Sequence, residues 1–105
     1  MMSINYTIEP DLSRKESLML LFEIGKNNKN WDKLANTVVT DLDISGTNNS
    51  ALSHINFTNI TFVNCDFSRC DFSGINLEGV IFSYGCKYTN TTFESCNLSN
   101  TEFEF

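Results

Sequence analysis

A solenoid is the fold class this sequence predicts, and three observations predict it. Large apolar residues recur at a spacing of five through the C-terminal part of the chain. A small or β-branched residue stands two places before each of them, and the residues ahead of the repeat carry helix signals instead. An α-helix places apolar residues about every 3.6 positions and a flat strand every second one, so neither produces a five. A coil does, if each unit forms one side and turns a corner: the centre and the residue two before it point in, and the rest point out.

Written in register, residues 55–82 read INFTN, ITFVN, CDFSR, CDFSG, INLEG and VIF, with centres at Phe57, Phe62, Phe67, Phe72, Leu77 and Phe82. The frame slips by one residue near Tyr84 and Gly85, where a corner should bulge. It resumes as CKYTN, TTFES, CNLSN and TEFEF around Tyr88, Phe93, Leu98 and Phe103. Upstream it extends through Leu52 and Thr47 to Leu42. Of these thirteen centres twelve are Leu, Phe or Tyr, where the overall hydrophobic share would supply about five by chance.

The unit, a small residue, Asp or Asn, Leu or Phe, then two polar residues, resembles that of the pentapeptide-repeat family. The resemblance covers roughly residues 40–105. It implies an all-β fold, a right-handed quadrilateral parallel β-helix with four units per coil. Residues 41–105 would form the repeat and residues 1–40 a short α-helical N-terminal cap, all in one folded unit. Four units per coil would stack Leu42, Phe62, Phe82 and Phe103 in one column and Thr47, Phe67 and Tyr88 in a second. Leu52, Phe72 and Phe93 would make a third, and Phe57, Leu77 and Leu98 a fourth. At ~4.8 Å between coils, a little over three coils make a rod of ~16 Å.

A solenoid needs its end coils covered, because they present apolar side chains and unpaired backbone groups. Ser13 with Glu16 has the form of a capping box, and Leu18, Leu21 and Phe22 follow at helical spacing before Gly25. These signals predict a helix over about residues 14–24. A second short helix is expected around Trp31 to Ala35, bringing Trp31 and Leu34 onto the first coil. Ile4, Tyr6 and Ile8 alternate like a strand. At the other end Phe103 and Phe105 form an aromatic rung with no lid in view, which points to homodimerisation through the C-terminal coil or to cover by another protein.

The composition bounds the function. Thirteen acidic against seven basic residues give a net charge of -6, which argues against direct binding to nucleic acid or an anionic membrane. No apolar run reaches the ~18 residues of a membrane helix, and no secretion signal opens the chain, so a cytoplasmic location is expected. Cys65, Cys70, Cys86 and Cys96 all take the inward position two before a centre and read as small core residues. Cys65 and Cys86 would stack on successive coils, although parallel neighbours offer poor disulfide geometry. The spacing lacks zinc ligands. His54, the one histidine, falls on an outward corner with no triad partner. Asn-x-Ser/Thr matches at Asn56, Asn59, Asn90 and Asn97 arise from the repeat itself. No catalytic residue, cofactor or metal is expected.

Some pentapeptide-repeat proteins, including those that protect DNA gyrase, imitate duplex DNA. DNA carries one charge per ~1.7 Å, or about nine over the rod's length; residues 41–105 hold eight acids against Arg69 and Lys87. The resemblance therefore implies a non-enzymatic binding protein, an acidic partial DNA mimic that inhibits or protects a DNA-handling protein. Asp66, Asp71, Glu78, Glu94, Glu102 and Glu104 would meet that partner, and end-to-end pairing would be needed to span ~10 base pairs. The alternative is a protein-interaction module of the counter-defence, immunity or effector type, without mimicry. It would dock through Val63 and Ile81, which point outward between acidic ends, or through the N-terminal cap. The acids beside the centres are explained equally well by the turns of the coil.

Overall fold

The computed structural model describes residues 2–28 and 35–105. In chain order these form β1 (Met2–Thr7), α1 (Arg14–Asn27), β2 (Ala35–Thr40), α2 (Asn49–Leu52), β3 (Ile60–Val63), β4 (Ile81–Phe82) and β5 (Glu102–Phe103). All five strands lie in one parallel sheet in the order β1-β2-β3-β4-β5. The expected strand around Ile4 is β1. The helix expected near Trp31 falls on residues outside those described, Trp31 and Leu34 among them, while Ala35 already begins β2. The sheet thus reaches into the segment expected to be a helical cap.

Register pairs place Tyr6, Val39, Phe62, Phe82 and Phe103 in one column. The rings of Phe62 and Phe82 stack at 5.9 Å between centroids, and those of Phe82 and Phe103 at 4.9 Å. Phe67 stacks with Tyr88 at 6.5 Å and Phe72 with Phe93 at 5.4 Å. Isolated bridges carry the same pairing around the coil, at Asp66 with Lys87, Asp71 with Thr92 and Asn76 with Asn97. Neighbouring columns meet edge to face, as Phe62 does with Phe67 at 5.0 Å, a geometry that aligns ring edges with ring faces. Phe57, Phe62, Phe67, Phe72, Leu77 and Phe82 are all fully buried. Each such burial stabilises by ~1.5–3 kcal/mol, so these columns are the core.

The corners have a period of their own. Asn59, Asn64, Arg69, Gly74, Gly79, Asn90, Ser95 and Asn100 each lie two after a centre, and each has a positive φ between 53° and 72°. Gly85 (φ 81°) does the same three after Phe82, because Tyr84 is the inserted residue and bulges out. Asn and Gly suit this left-handed conformation; Arg69 and Ser95 do not. Arg69→Gly is therefore expected to raise stability by up to ~1 kcal/mol in urea unfolding, and a loss of stability would show that the Arg69 side chain outweighs its backbone strain.

The upstream columns correct the expected frame. Val39, not Leu42, lies beneath Phe62, and the bridge between Asp43 and Asp66 sets Ile44, not Thr47, beneath Phe67. Asp41 (φ 64°) and Gly46 (φ 76°) are the corners that follow Val39 and Ile44. The offset from Val39 to Phe62 is 23 residues, against 20 from Phe62 to Phe82. The three extra residues are spent on α2, a single helical turn capped by the Asn48 side chain, which accepts from Ala51 N–H. Leu52 ends that turn, so it is not a centre of the third column. Leu42, Thr47 and Leu52 are nevertheless buried: Leu42 takes the inward position two before Ile44, the Thr47 hydroxyl donates to Ile44 O, and Leu52 enters the core from the end of α2.

Helix α1 crosses the N-terminal end of the coil. Its capping box is formed, with Glu16 N–H bonding to Ser13 Oγ at 3.1 Å and Ser13 N–H to Glu16 Oε1 at 3.1 Å. At this end Arg14 Nε donates to Ser45 Oγ at 3.0 Å, and at the other Asn28 Nδ2 donates to Thr58 O at 2.8 Å. Leu21 and Ile24 enter the core between these anchors. The helix continues past Gly25 to Asn27. Gly25 does not stop it; a Cβ there would run into the backbone carbonyl of Asn56, so glycine marks where helix and coil touch.

Candidate binding surfaces

The outward residues build the turns and carry the charge. The Asp or Asn just before a centre accepts the backbone N–H two residues on: Asp66 from Ser68 at 2.9 Å, Asp71 from Ser73 at 3.0 Å, Asn76 from Glu78 at 3.0 Å and Asn97 from Ser99 at 3.0 Å. Carboxylate and amide make the same bond, so the turn requires an oxygen and not a charge. The hydroxyl and N–H of Ser73 hold the Asp71 carboxyl below its ordinary range. For Asp66, burial pushes upward, but the two bonds from Ser68 and the charges of Lys87 and Arg69 outweigh it, and its pKa is lowered.

These acids do not gather on one surface. Asp43, Asp66 and Lys87 follow one another up one line of bridges, with Arg14 3.9 Å from Asp43. Asp71 pairs with Thr92, and Glu94 follows on the same side. Glu78 lies beside the Asn76 line. Glu102 sits over Ile81 on β5, and Glu104 N–H bonds to Phe82 O at 2.8 Å. Val63 and Ile81 are both half-buried. They occupy opposite shoulders of the Phe62 and Phe82 column, since Ile81 is opposite Thr61 and Val63 opposite Thr40.

Among the described residues two apolar surfaces are open. At the C-terminal rung Leu98 is 44% exposed, Phe103 36% and Phe105 93%, and Glu94, Glu102 and Glu104 rim them. The second is a groove of about 260 Å³ between α1 and the α2 corner, lined by Leu18, Met19, Phe22, Ala51 and Ile55 with Glu23 and His54. Sequence reasoning missed this groove. The signal was Met19 and Phe22 on α1, but which residues of the coil face them depends on how the helix docks.

The inward small residues donate to the rung before. Thr91 Oγ1 bonds to Phe67 O at 2.7 Å, Cys96 Sγ to Phe72 O at 2.8 Å and Thr101 Oγ1 to Leu77 O at 2.7 Å. Cys65 and Cys70 are buried, Cys86 and Cys96 half-buried, and all four are free thiols. Among the described residues no three His, Cys, Asp or Glu side chains form a metal-holding group. No helix among them is long and apolar enough to cross a membrane.

Residues 48–83 match the sequence model of the family described as pentapeptide repeats, in 8 copies. No curated protein and no solved structure matches the chain.

Proposed function

The chain carries pentapeptide repeats, and on that premise we propose that it is a non-enzymatic protein-binding module. Its coil is read as a right-handed quadrilateral β-helix, a reading supported by the 20-residue offset from Phe62 to Phe82 and by the ring columns. Residues 41–105 are its body, β1 and β2 add rungs to the same sheet, and α1 acts as its cap. Four free thiols favour a reducing compartment, the cytoplasm.

The observation that carries the proposal is the exposed C-terminal rung of Leu98, Phe103 and Phe105. An apolar centre inside a polar rim is the ordinary anatomy of an interface. A second copy covers this rung end to end, and the paired rods present their outer faces, Val63 and Ile81 included, to a protein partner. The rims of the two copies carry like charges, so screening favours their association. Sedimentation velocity at tens of micromolar should find a dimer that tightens with added salt, and Phe105→Asp should leave a monomer. A strict monomer for the native chain would remove the pairing from the proposal.

The charge imbalance favours a second reading, in which the acidic faces stand in for duplex DNA against a DNA-binding enzyme. That reading has the opposite salt signature: the complex weakens steeply with salt and competes with duplex DNA. Asp71→Asn with Glu94→Gln keeps the Asx turn while removing two charges. Binding that is unchanged by this pair of substitutions speaks for docking without mimicry.

A further inference from the structure

The bridge between Asp66 and Lys87 sets Cys65 and Cys86 directly in register on neighbouring rungs. Parallel rungs lie ~4.8 Å apart, inside the ~4.4–6.8 Å range of Cα separations that disulfides span. Both thiols point inward, Cys65 Sγ towards Val39 O at 3.4 Å and Cys86 Sγ towards Phe62 O at 3.4 Å. Cys65 is buried, whereas Cys86 is half-buried next to the exposed end. A third group completes the cluster: the Tyr88 hydroxyl is buried and has no hydrogen-bond partner.

We propose that Cys86 is an oxidation site for small hydroperoxides, with Cys65 as the thiol that closes on it. The half-buried Cys86 is the thiol of the pair that favours the thiolate: the neighbouring Cys65 thiol as donor is the first cause that lowers its pKa, against burial, which raises it. A neutral thiol is a poor acceptor for the Tyr88 phenol; a thiolate is a good one, so ionisation of Cys86 also satisfies the orphaned hydroxyl. The reciprocal effect pushes Cys65 up, through its bond to Cys86 and its burial. Burial pushes Cys70 and Cys96 up as well, and neither has a thiol donor. The charged groups beside the pair, Asp66 and Lys87, follow the two cysteines in the chain and oppose each other's charge across the rungs.

The chemistry proceeds in two steps. The Cys86 thiolate attacks the distal peroxide oxygen; the O–O bond breaks, an S–O bond forms, and the alkoxide or hydroxide leaves and takes a proton from water. Sulfur is oxidised to the sulfenic acid while the peroxide is reduced to the alcohol or water. Cys65 then attacks the Cys86 sulfur, the S–O bond breaks, and hydroxide leaves with the Cys65 proton as water, forming the disulfide. In-register parallel neighbours hold such a bond under strain, which makes it easily reduced.

Treatment of the native chain with a small excess of hydrogen peroxide tests this by intact mass and peptide mapping. The expected product is lighter by two hydrogens, with Cys65 and Cys86 peptides linked. Cys65→Ser should stop at a sulfenic acid trapped by dimedone on Cys86, and Cys86→Ser should leave the other three thiols unoxidised. A measurement on the native chain needs no variant: iodoacetamide should label Cys86 about tenfold faster than Cys96 at pH 7, with a pH midpoint below the ordinary thiol range. Oxidation spread evenly over the four cysteines, a link to Cys70 or Cys96, or a Cys86 midpoint at or above that range would each overturn the proposal.

Discussion

Phe82→Ala is expected to destabilise the fold by about 3–5 kcal/mol, measured as the loss of unfolding free energy in urea. Phe82 is fully buried and stands where the columns meet. Its ring stacks on Phe62 below and Phe103 above, and meets Phe67, Tyr88 and Phe93 edge to face at 5.2, 5.7 and 6.1 Å. Removing it opens a cavity walled by other rings. Those rings hang from rungs whose spacing is set by backbone hydrogen bonds, so they have little freedom to collapse into it. Phe103→Ala, with the same chemistry at an exposed rung, should lose under half as much. Equal losses at the two positions would mean that the columns do not set stability.

Gly25→Ala is expected to destabilise by about 1–3 kcal/mol, although helix propensity alone predicts a gain of ~1 kcal/mol for removing a glycine from a helix interior. The two effects have opposite signs, which makes the measurement decisive. A Cβ at Gly25 meets the backbone carbonyl of Asn56, which cannot swing aside like a side chain. Asn56 Nδ2 also donates to Gly25 O at 3.3 Å, and Asn28 ties the end of α1 to Thr58, so a helix pushed outward loses both bonds. A stabilised variant would show that α1 rides loosely over the coil.

The repeat from Phe57 onward was legible because each unit restates it. Inward positions every five residues, with an Asx turn before Phe57, Phe67, Phe72, Leu77 and Leu98, leave no competing frame, and Tyr84 with Gly85 announces the single slip. The phase upstream was not legible, because Leu42, Thr47 and Leu52 are also five apart and also buried. Apolar spacing cannot separate a centre from the inward residue two before it. The corner residues Asp41 and Gly46 hold the distinction, since the position two after a centre turns left-handed at every corner but the Gly85 slip.

The capping box and the start of α1 followed from local chemistry, since Ser13 and Glu16 satisfy each other's backbone within one turn. Its length did not, because Gly25 serves a close approach that no local pattern encodes. The in-register placement of Cys65 and Cys86 came from the spacing, yet their unlike environments depend on which rung is covered and where the Tyr88 hydroxyl lands.

Local repetition therefore determined by itself which side chains face inward and where the backbone must turn, since both depend only on residues within one unit. The tertiary structure alone decided which upstream unit lies beneath which downstream one, and how α1 seats. Those depend on insertions such as α2 and on backbone contacts between residues far apart in the chain, where one extra residue shifts a whole column.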